Sequence, residues 1–400
     1  SDAVQDVLKR APRLFIDGEW VESSHDRTIA VYDPSTGKEI ARIVDASDAD
    51  VDRAVAAARE AFDDGRWTGL PPYQRQRIVE KLADLVEANI PELAELESID
   101  NGKPRMASQG YDLPTCVRTL RYMAGWATKI TGEHVEPAAY PAGSMHAYVR
   151  REPVGVCAQI VPWNFPLMMA VQKIAPALAA GCTVVLKPAS ETPLTALLLG
   201  EIGLEAGLPA GALNVVPGGG RTAGEAIVAH PGVDKIAFTG STAVGKRIAG
   251  LAAETLKRVS LELGGKSANI VFADANLKHA ARGAVTGIFY GKGEVCAAGS
   301  RLLVDKSIKS EFIDKLAARG VLFQNAYCQA PLCGPSRASL MTGLRPSTTG
   351  IYGMINDNNI KKDNDVTREI VLLPEYFQRQ GYHTMGIGKL FHQHAPDGVF

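Results

Sequence analysis

Residues 154–162 have the sequence VGVCAQIVP, a short apolar run that ends at a proline. Runs of the same kind recur at 183–188 (TVVLKP), 212–218 (ALNVVPG) and 234–240 (DKIAFTG). The stretches between them, such as LMMAVQKIAPALAAG, are rich in alanine and leucine and are long enough for helices. Strands that alternate with helices indicate a parallel sheet with both faces covered, because each crossover lays a helix on the sheet. The middle of the chain is therefore predicted to be a doubly wound, Rossmann-like α/β domain.

Weaker patterns flank this region. Alternating apolar and polar residues around turns predict strands and hairpins at 14–21 and 28–44, and the segment 132–152 is predicted to be an extended arm. Two more strand-like runs lie within 259–272. Helical periodicity predicts helices at 47–63, 73–103, 109–128 and 309–320.

Composition excludes several classes of function. The 400 residues carry a formal net charge of -1, so no overall field attracts the chain to nucleic acid or to anionic membranes. No apolar run reaches the ~18 residues that a membrane helix needs. The six cysteines show neither metal-ligand spacing nor a disulfide framework. We therefore expect a cytoplasmic protein without a nucleic-acid partner, a membrane partner or a metal site.

The two ends of the sequence lack the usual signals. The chain starts with Ser1 rather than methionine, and it stops at Phe400 without a terminating signal. We expect it to be incomplete at both ends.

Residues able to do chemistry follow the predicted strands, where ligands of such sheets bind. Cys296 lies in GKGEVCAAGSR among small residues that leave a nucleophile accessible. Glu262 in LELGGK could act as a general base, and Asn164 in PWNFP could donate a hydrogen bond to a developing oxyanion. Each residue also has a simpler interpretation. A lone cysteine is usually a small buried hydrophobic residue, and a lone glutamate is usually solvated or paired.

Two further features suggest a nucleotide site. Lys187, at the end of TVVLKP, could hold a ribose or a phosphate. In FTGSTAVG the backbone between Gly240 and Gly245 could approach a pyrophosphate closely at the start of a helix. Glycine-rich turns between a strand and a helix also occur in many α/β folds that bind no ligand there, so both interpretations stay open on these residues alone.

The motifs PWNFP, LKPASETPLTA, GLPAGALNVVPGGG, KIAFTGS, LELGGKS and GEVCAAGSR occur in one order, and with them residues 14–318 resemble the NAD(P)-dependent aldehyde dehydrogenase family. The resemblance implies that Cys296 is the catalytic thiol, that Glu262 is the general base and that Asn164 is an oxyanion donor, assisted by the Cys296 backbone N–H. It also implies contacts to NAD or NADP from Trp163, Lys187, Gly220, Ser241 and Val244.

The implied reaction oxidises a small-molecule aldehyde to its carboxylic acid. The Cys296 thiolate attacks the aldehyde carbon to give a thiohemiacetal, and loss of hydride to the nicotinamide gives a thioester. Glu262 then activates the water that releases the acid. A thiol nucleophile divides one difficult oxidation into two easier steps.

The sequence departs from this family at two places. Gly291–Glu294 stands where the family usually has Asn-x-Gly-Gln before the thiol. After Arg319 we find neither the family's Glu-x-Phe-Gly-Pro motif nor the C-terminal strand that pairs across its oligomers. We therefore expect an incomplete catalytic domain with exposed apolar edges and impaired activity.

Residues 319–400 resemble the type I sulfatases, especially the iduronate- and choline-sulfatase-like branch, through FQNAYCQAPLCGPSRASLMTGLRPSTTGIYG and MGIGKLFH. The resemblance implies an incomplete α/β fragment of alkaline-phosphatase-like fold. In it Cys333 is oxidised to formylglycine and Arg337 holds the hydrate, while Lys389 and His392 contact the sulfate and the leaving group. Taken alone, CGPSR is also compatible with a proline-marked turn that carries an incidental cysteine.

The divalent metal of the sulfatase family lacks its ligands in this sequence. The paired aspartates that should precede the matching segment and the ligands that should follow it are missing. Asp357, Asp363 and Asp365 lie in a polar stretch and do not match those ligands. Without a metal to neutralise the sulfate charge, we expect no hydrolysis.

The run LAARG near residues 315–320 suits both families, and no Gly/Ser-rich or Pro-rich linker marks the join. A join at shared sequence suggests a joining error or recombination between two genes. We expect a nucleotide-binding domain at 1–258, a partial catalytic domain at 259–318 and a sulfatase fragment at 319–400. The functional hypotheses are an impaired aldehyde dehydrogenase, a bifunctional or chimeric chain with a sulfuric ester hydrolase, and a non-catalytic nucleotide-binding remnant.

Overall fold

The computed structural model describes residues 1–317 except 137, 139, 140, 142 and 144, together with residues 341–342, 367–368 and 370–380. The chain divides into two compact units, Ser1–Lys315 and Leu316–Phe400. No helix in these described ranges is long and apolar enough to cross a membrane.

The strands are, in chain order, β1 (Leu14–Ile16), β2 (Glu19–Val21), β3 (Thr28–Tyr32), β4 (Glu39–Val44), β5 (Glu133–Val135), β6 (Ala147–Val149), β7 (Val156–Ile160), β8 (Thr183–Lys187), β9 (Leu213–Val215), β10 (Lys235–Gly240), β11 (Arg258–Leu263), β12 (Ala268–Val271) and β13 (Arg301–Val304). The helices are α1 (Asp2–Leu8), α2 (Asp48–Asp63), α3 (Pro72–Ala88), α4 (Ile90–Asn101), α5 (Arg105–Ala107), α6 (Leu113–Trp126), α7 (Pro166–Ala179), α8 (Leu194–Ala206), α9 (Glu225–Ala229), α10 (Thr242–Ala253), α11 (Leu277–Phe289), α12 (Lys309–Ala317) and α13 (Leu373–Arg379). Short π-helical or 3-10 turns are found at Ser108–Asp112, Gly220–Gly224, Tyr290–Gly293 and Lys306–Ile308.

The predicted parallel sheet is confirmed. Strands β7 to β11 are its parallel part, within a seven-stranded sheet of order β11-β10-β7-β8-β9-β1-β2. The sequence predicts β1 only as a hairpin partner of β2, whereas the structure also pairs it antiparallel with β9 through Phe15 and Val215. The N-terminal hairpin therefore extends the sheet beyond β9.

Side chains of β7 alternate between two hydrophobic cores. Val156, Ala158 and Ile160 pack with apolar residues of α2, α9 and α10. Cys157 and the following Val161 pack on the opposite side, with residues of α3, α6, α7 and α8. Because both faces are covered by helices, all five residues of the strand are buried, and four of them are apolar, as expected for a parallel sheet.

The register brings the carboxyl ends of the parallel strands to one edge. Ile160 lies opposite both Lys187 and Phe238, and Gly240 lies opposite Leu263. The loops that follow these strands, which carry most of the predicted site residues, therefore share this edge.

Strand β11 belongs to the main sheet, because it pairs with β10 from Arg258 to Leu263. The boundary predicted between 258 and 259 thus lies at the start of a strand of that sheet, and the three-part division stays a prediction. Strands β12 and β13 form a separate parallel pair. Two of its side chains, Ile270 and Leu303, are 56% and 50% exposed, in agreement with the expected exposed apolar surface.

In the second unit, α13 begins where the Leu372 backbone N–H donates to Glu375 Oε2 at 2.7 Å. The residues implied by the sulfatase resemblance lie outside the described residues: Cys333, Arg337, Lys389 and His392.

Candidate active site

Solvent exposure separates Cys296 from the other described cysteines. Cys116, Cys157 and Cys182 are buried, as lone cysteines usually are, and Cys296 is exposed. Only an accessible thiol can reach a substrate carbonyl, so Cys296 fits the role of nucleophile that the sequence suggests.

The loop before Cys296 reverses sharply after α11. Gly291 and Lys292 have φ values of 55° and 62°, in the left-handed region that a side chain rarely adopts. The Lys292 ammonium stabilises this conformation, because it donates to the Asn101 carbonyl at 2.5 Å and lies 3.2 Å from Glu294 Oε2. Glu294, which stands where the family usually has Gln, therefore contributes an ion pair to the loop.

Cys296 and Glu262 line the same cavity of about 620 Å³, which we call the thiol cavity. Glu262 is an exposed residue of β11 and lies opposite Thr239 of β10, which also lines the cavity. The structure thus brings together the predicted nucleophile and the predicted general base.

Lys173 of α7 also lines the thiol cavity, and sequence reasoning missed this titratable residue. Burial lowers the pKa of Lys173 to about 8, while the negative charge of Glu262 opposes that change. A signal was present, because Lys173 is the one charged residue of the apolar helix PLMMAVQKIAPALA.

Asn164 lies next to the loop that carries Cys296. Its side-chain amide Nδ2 donates to the Glu294 carbonyl at 2.7 Å, and its own backbone carbonyl accepts a 3.1 Å hydrogen bond from Lys103 Nζ. The adjacent Trp163 carbonyl accepts from Asn101 Nδ2 at 2.8 Å. The predicted oxyanion donor is therefore held near the thiol by contacts on both its backbone and its side chain.

Three of the residues predicted to contact a cofactor line a second cavity of about 580 Å³, which we call the nucleotide cavity: Lys187, Gly220 and Val244. Lys187 is 4% exposed, and its Nζ donates to the Pro188 carbonyl at 2.8 Å. Burial lowers the pKa of Lys187 to about 8, although the charges of Glu191 and Asp45 oppose it. An ammonium has three N–H donors, so this group can also bind ligand hydroxyls in the cavity.

The other predicted cofactor residues lie at or just beyond the carboxyl ends of β7 and β10 and do not line the nucleotide cavity. Trp163, which follows β7, is 41% exposed. Ser241 caps α10, where its hydroxyl accepts from the Val244 N–H at 3.3 Å. A Cβ added at Gly240 would lie 2.4 Å from the Phe238 ring, so packing also requires this glycine.

The nucleotide cavity contains charged residues that the sequence analysis did not single out: Arg221, Glu225 and Arg247. Arg247 binds both carboxylate oxygens of Glu225, at 2.9 and 2.8 Å. Nothing in the local sequence indicates this pair, since its two members lie 22 residues apart on different helices.

The model of the aldehyde dehydrogenase family matches residues 20–323. The chain belongs to the aldehyde dehydrogenase family. It is 51% identical over 317 residues to phenylacetaldehyde dehydrogenase of Pseudomonas fluorescens, covering 79% of this chain and 63% of that protein. It is 49% identical over 309 residues to human retinal dehydrogenase 2, covering 77% of this chain and 59% of that protein.

The fold of the dehydrogenase part agrees with solved structures. The NAD⁺ complex of an aldehyde dehydrogenase from Bacillus cereus superposes with a TM-score of 0.77 at 44% identity, covering 80% of this chain and 64% of that one. The sulfatase family model matches residues 298–396, which confirms the second resemblance. The two family matches overlap over 298–323, a range that includes the predicted join at 315–320.

Proposed function

We propose that this chain binds NAD and oxidises an aldehyde to its carboxylic acid through Cys296, at a reduced rate. The observation that carries the proposal is the thiol cavity, which Cys296 and Glu262 line together. Family membership supports the same reaction, because the chain is 51% identical over 317 residues to phenylacetaldehyde dehydrogenase. The chain spans only 63% of the length of that protein.

Each residue of the proposed site has a distinct role. The Cys296 sulfur attacks the aldehyde carbon, while the second N–H of the Asn164 amide and the Cys296 backbone N–H donate to the developing oxyanion. Glu262 takes a proton from the water that later attacks the thioester carbon. Lys173 also lines the cavity, and burial lowers its pKa to about 8.

The nucleotide cavity fits the adenosine half of NAD. Bound NAD supplies the acceptor for the hydride that leaves the substrate carbon. Lys187 offers N–H donors to ribose hydroxyls, and a Cβ placed at Gly220 would meet nothing within 4 Å, so the backbone there is open to a ligand. The volume of about 580 Å³ lies within the range of about 300–1,000 Å³ found for cofactor and ligand sites.

The reduced rate follows from exposure around the thiol. Glu262 lies on β11, the edge strand of the main sheet, and is itself exposed. Cys296 is exposed as well. Water therefore reaches the groups that a dehydrogenase must shield, and electrostatic stabilisation of the oxyanion weakens as the local dielectric constant rises.

NADH formation by the purified chain, with an aliphatic or aryl aldehyde and NAD, tests this proposal. We expect a kcat below the ~1 s⁻¹ at the low end of typical enzymes, and none for Cys296→Ala. Stabilisation against heat by NAD without NADH formation would favour the non-catalytic nucleotide-binding remnant. If NAD neither stabilises the chain against heat nor is reduced to NADH, both the dehydrogenase hypothesis and the nucleotide-binding hypothesis are refuted.

The sulfatase match supports a second, weaker candidate. Hydrolysis of a sulfate ester would require formylglycine at Cys333 and a divalent metal, most of whose ligands the sequence lacks. We propose that this segment is inactive. Detection of formylglycine at Cys333 by mass spectrometry, together with release of sulfate from an aryl sulfate, would contradict this.

We also propose that the chain is divided into three parts, at 1–258, 259–318 and 319–400, and that it is located in the cytoplasm. Paired titrations with NAD and NADP would show which of the two cofactors it prefers. The described cysteines are all free, which suits a reducing compartment. Because the family's pairing strand is not found in this sequence, we expect light scattering to show weaker oligomerisation than in the relatives.

A further inference from the structure

Lys103 is a lysine with almost no contact with solvent, at 3% exposure. It follows Gly102, the left-handed residue that ends α4. Its Nζ donates to Asp112 Oδ2 at 2.7 Å and to the Asn164 carbonyl at 3.1 Å, and lies 3.2 Å from Glu97 Oε1. A buried ammonium is tolerated when it is paired and hydrogen-bonded, and Lys103 combines two hydrogen bonds with the ion pair to Glu97.

The same group of side chains also holds the turn PWNFP at two further points. The Lys103 ammonium lies 4.5 Å from the centre of the Phe165 ring, within cation–π range. Glu97 Oε2 accepts a 3.3 Å hydrogen bond from the Leu167 N–H at the start of α7. The chain is thus fixed at Asn164 and at Phe165 and Leu167, which follow it.

Asp112 connects this group to the loop before Cys296. Its Oδ1 accepts a 3.0 Å hydrogen bond from the Tyr290 hydroxyl, while its Oδ2 accepts from Lys103. Burial and the negative charge of Asp112 raise the pKa of Tyr290, so the hydroxyl stays protonated and donates. The Tyr290 ring also stacks on Phe165, with ring centres 6.3 Å apart and planes 19° from parallel.

We propose that Lys103 is a positioning residue that sets the relative placement of the Asn164 amide and the Cys296 thiol. The inference rests on the proposed dehydrogenase function and deepens it. Asn164 and the Cys296 loop lie 130 residues apart in the chain, and neither is inside a helix or strand. The Lys103 ammonium contacts the Asn164 carbonyl directly, and it contacts the Cys296 loop through Asp112 and Tyr290. The two segments are therefore both held by Lys103.

Two variants separate the contact of Lys103 with the Asn164 turn from its indirect contact with the Cys296 loop. Lys103→Met removes the charge and leaves the carboxyls of Glu97 and Asp112 unpaired, which should loosen both the turn and the loop. Tyr290→Phe removes one hydroxyl, keeps the ring, and should loosen the loop alone. Thr183→Val is the matched control, because Thr183 is fully buried and donates an equivalent 2.8 Å hydrogen bond to the Ala58 carbonyl, outside the site.

Turnover provides the first readout on the full chain. Since a misplacement of ~1 Å can cost ~100-fold, we expect kcat to fall about 100-fold in Lys103→Met and about 10-fold in Tyr290→Phe. The dissociation constant for NAD should change by less than about twofold, because Lys103 does not line the nucleotide cavity. If kcat per folded molecule equals that of Thr183→Val in both variants, the proposal is overturned.

Hydrogen exchange provides a readout that does not need turnover. In Lys103→Met, amides of 162–167 and 290–296 should both exchange faster, and in Tyr290→Phe only those of 290–296, with β8 unchanged in each. Equal acceleration throughout the chain, or none in these two segments, would show a merely structural role. Absence of NADH formation by the unsubstituted chain would overturn the dehydrogenase function alone, because exchange still decides whether Lys103 holds both segments.

Discussion

The Asn164 side-chain amide donates a 2.7 Å hydrogen bond to the backbone carbonyl of Glu294, two residues before Cys296. This bond uses one of the two amide N–H groups and leaves the other for a ligand. The same side chain can therefore position the nucleophile loop and stabilise an oxyanion. Both functions depend on the amide nitrogen.

Replacing Asn164 with Ala removes both functions. We expect kcat to fall by about 10²–10³-fold, the usual cost of losing one oxyanion donor, with little change in NAD affinity. Steady-state rates of NADH formation measure kcat, and calorimetric titration measures the affinity for NAD. Asn89→Ala is the control, because Asn89 Nδ2 donates an equivalent 2.8 Å bond to the Leu85 carbonyl at the end of α3. An equal loss of activity in both variants would contradict this role.

Replacing Glu262 with Gln should slow release of the acid more than its formation. Loss of a general base typically costs about 10²–10⁴-fold, so the thioester should accumulate after one turnover. Stopped-flow measurements should then show a burst of NADH followed by a slow phase, and mass spectrometry should find the acyl group on Cys296. Glu19→Gln, a change at another exposed edge-strand carboxylate, should leave the time course unaltered. A uniform slowing without a burst would argue against a role in hydrolysis.

Replacing Lys187 with Met should weaken NAD binding. Hydrogen bonds to a charged group contribute about 1.5–3 kcal/mol, which corresponds to a rise in the dissociation constant of about 10- to 150-fold. Titration calorimetry checks this, with the exposed Lys81→Met as the control. An unchanged dissociation constant would place the nucleotide elsewhere.

The lowered pKa of Lys187 also gives a dependence on pH. The ammonium form predominates below pH 8 and is lost above it, so NAD affinity should fall as the pH rises through about 8. The unfolded chain keeps this proton up to its ordinary pKa of 10.5. Between these two values the unfolded state binds more protons, so the contribution of Lys187 to the free energy of unfolding rises with pH. Urea denaturation of Lys187→Met and the parent chain, on both sides of pH 8, should show this trend, and the opposite slope would contradict it.

Replacing Gly155 with Ala should destabilise the chain by about 3 kcal/mol, combining backbone strain with overpacking. Gly155 has a φ of 120°, and a Cβ there would lie 1.9 Å from Asp234 Oδ2, which accepts from the Val156 N–H. The control is Gly250→Ala within α10, where a Cβ would meet nothing within 4 Å. That change should stabilise the helix by about 0.5–1 kcal/mol. Chemical denaturation measures the free energy of unfolding of both variants. If both substitutions change it in the same direction and by a similar amount, the steric conflict expected at Gly155 is disproved.

The main sheet was predictable because its strands alternate with helices in a simple pattern. The runs around Val156, Thr183 and Lys235 contain enough apolar residues to be buried on both faces, and each connection is long enough for a helix. The pairing of β1 with β9 was not predictable, because a three-residue strand contains too little periodicity to show a second partner. Its contact joins residues 200 positions apart, Phe15 and Val215.

The candidate site was predictable only where a motif names the residue. The motifs predict Cys296, Glu262 and Asn164 as site residues, and the structure places two of them, Cys296 and Glu262, in one cavity. Lys103 and Asp112 were not found, because a buried ion pair depends on which helices meet rather than on local sequence. Before the structure is seen, a lysine in the polar run NGKPR is expected to be solvated.

The exposed apolar residues near the parallel pair β12–β13 should affect how long this chain persists in a cell. Ile270, Leu303 and the adjacent Phe272 are exposed apolar side chains, and among the residues that the structure describes β12 and β13 pair only with each other. Chaperones and proteases recognise such surfaces, because exposed apolar side chains distinguish incompletely packed proteins from native ones. We therefore expect cellular quality control to limit the abundance of this chain.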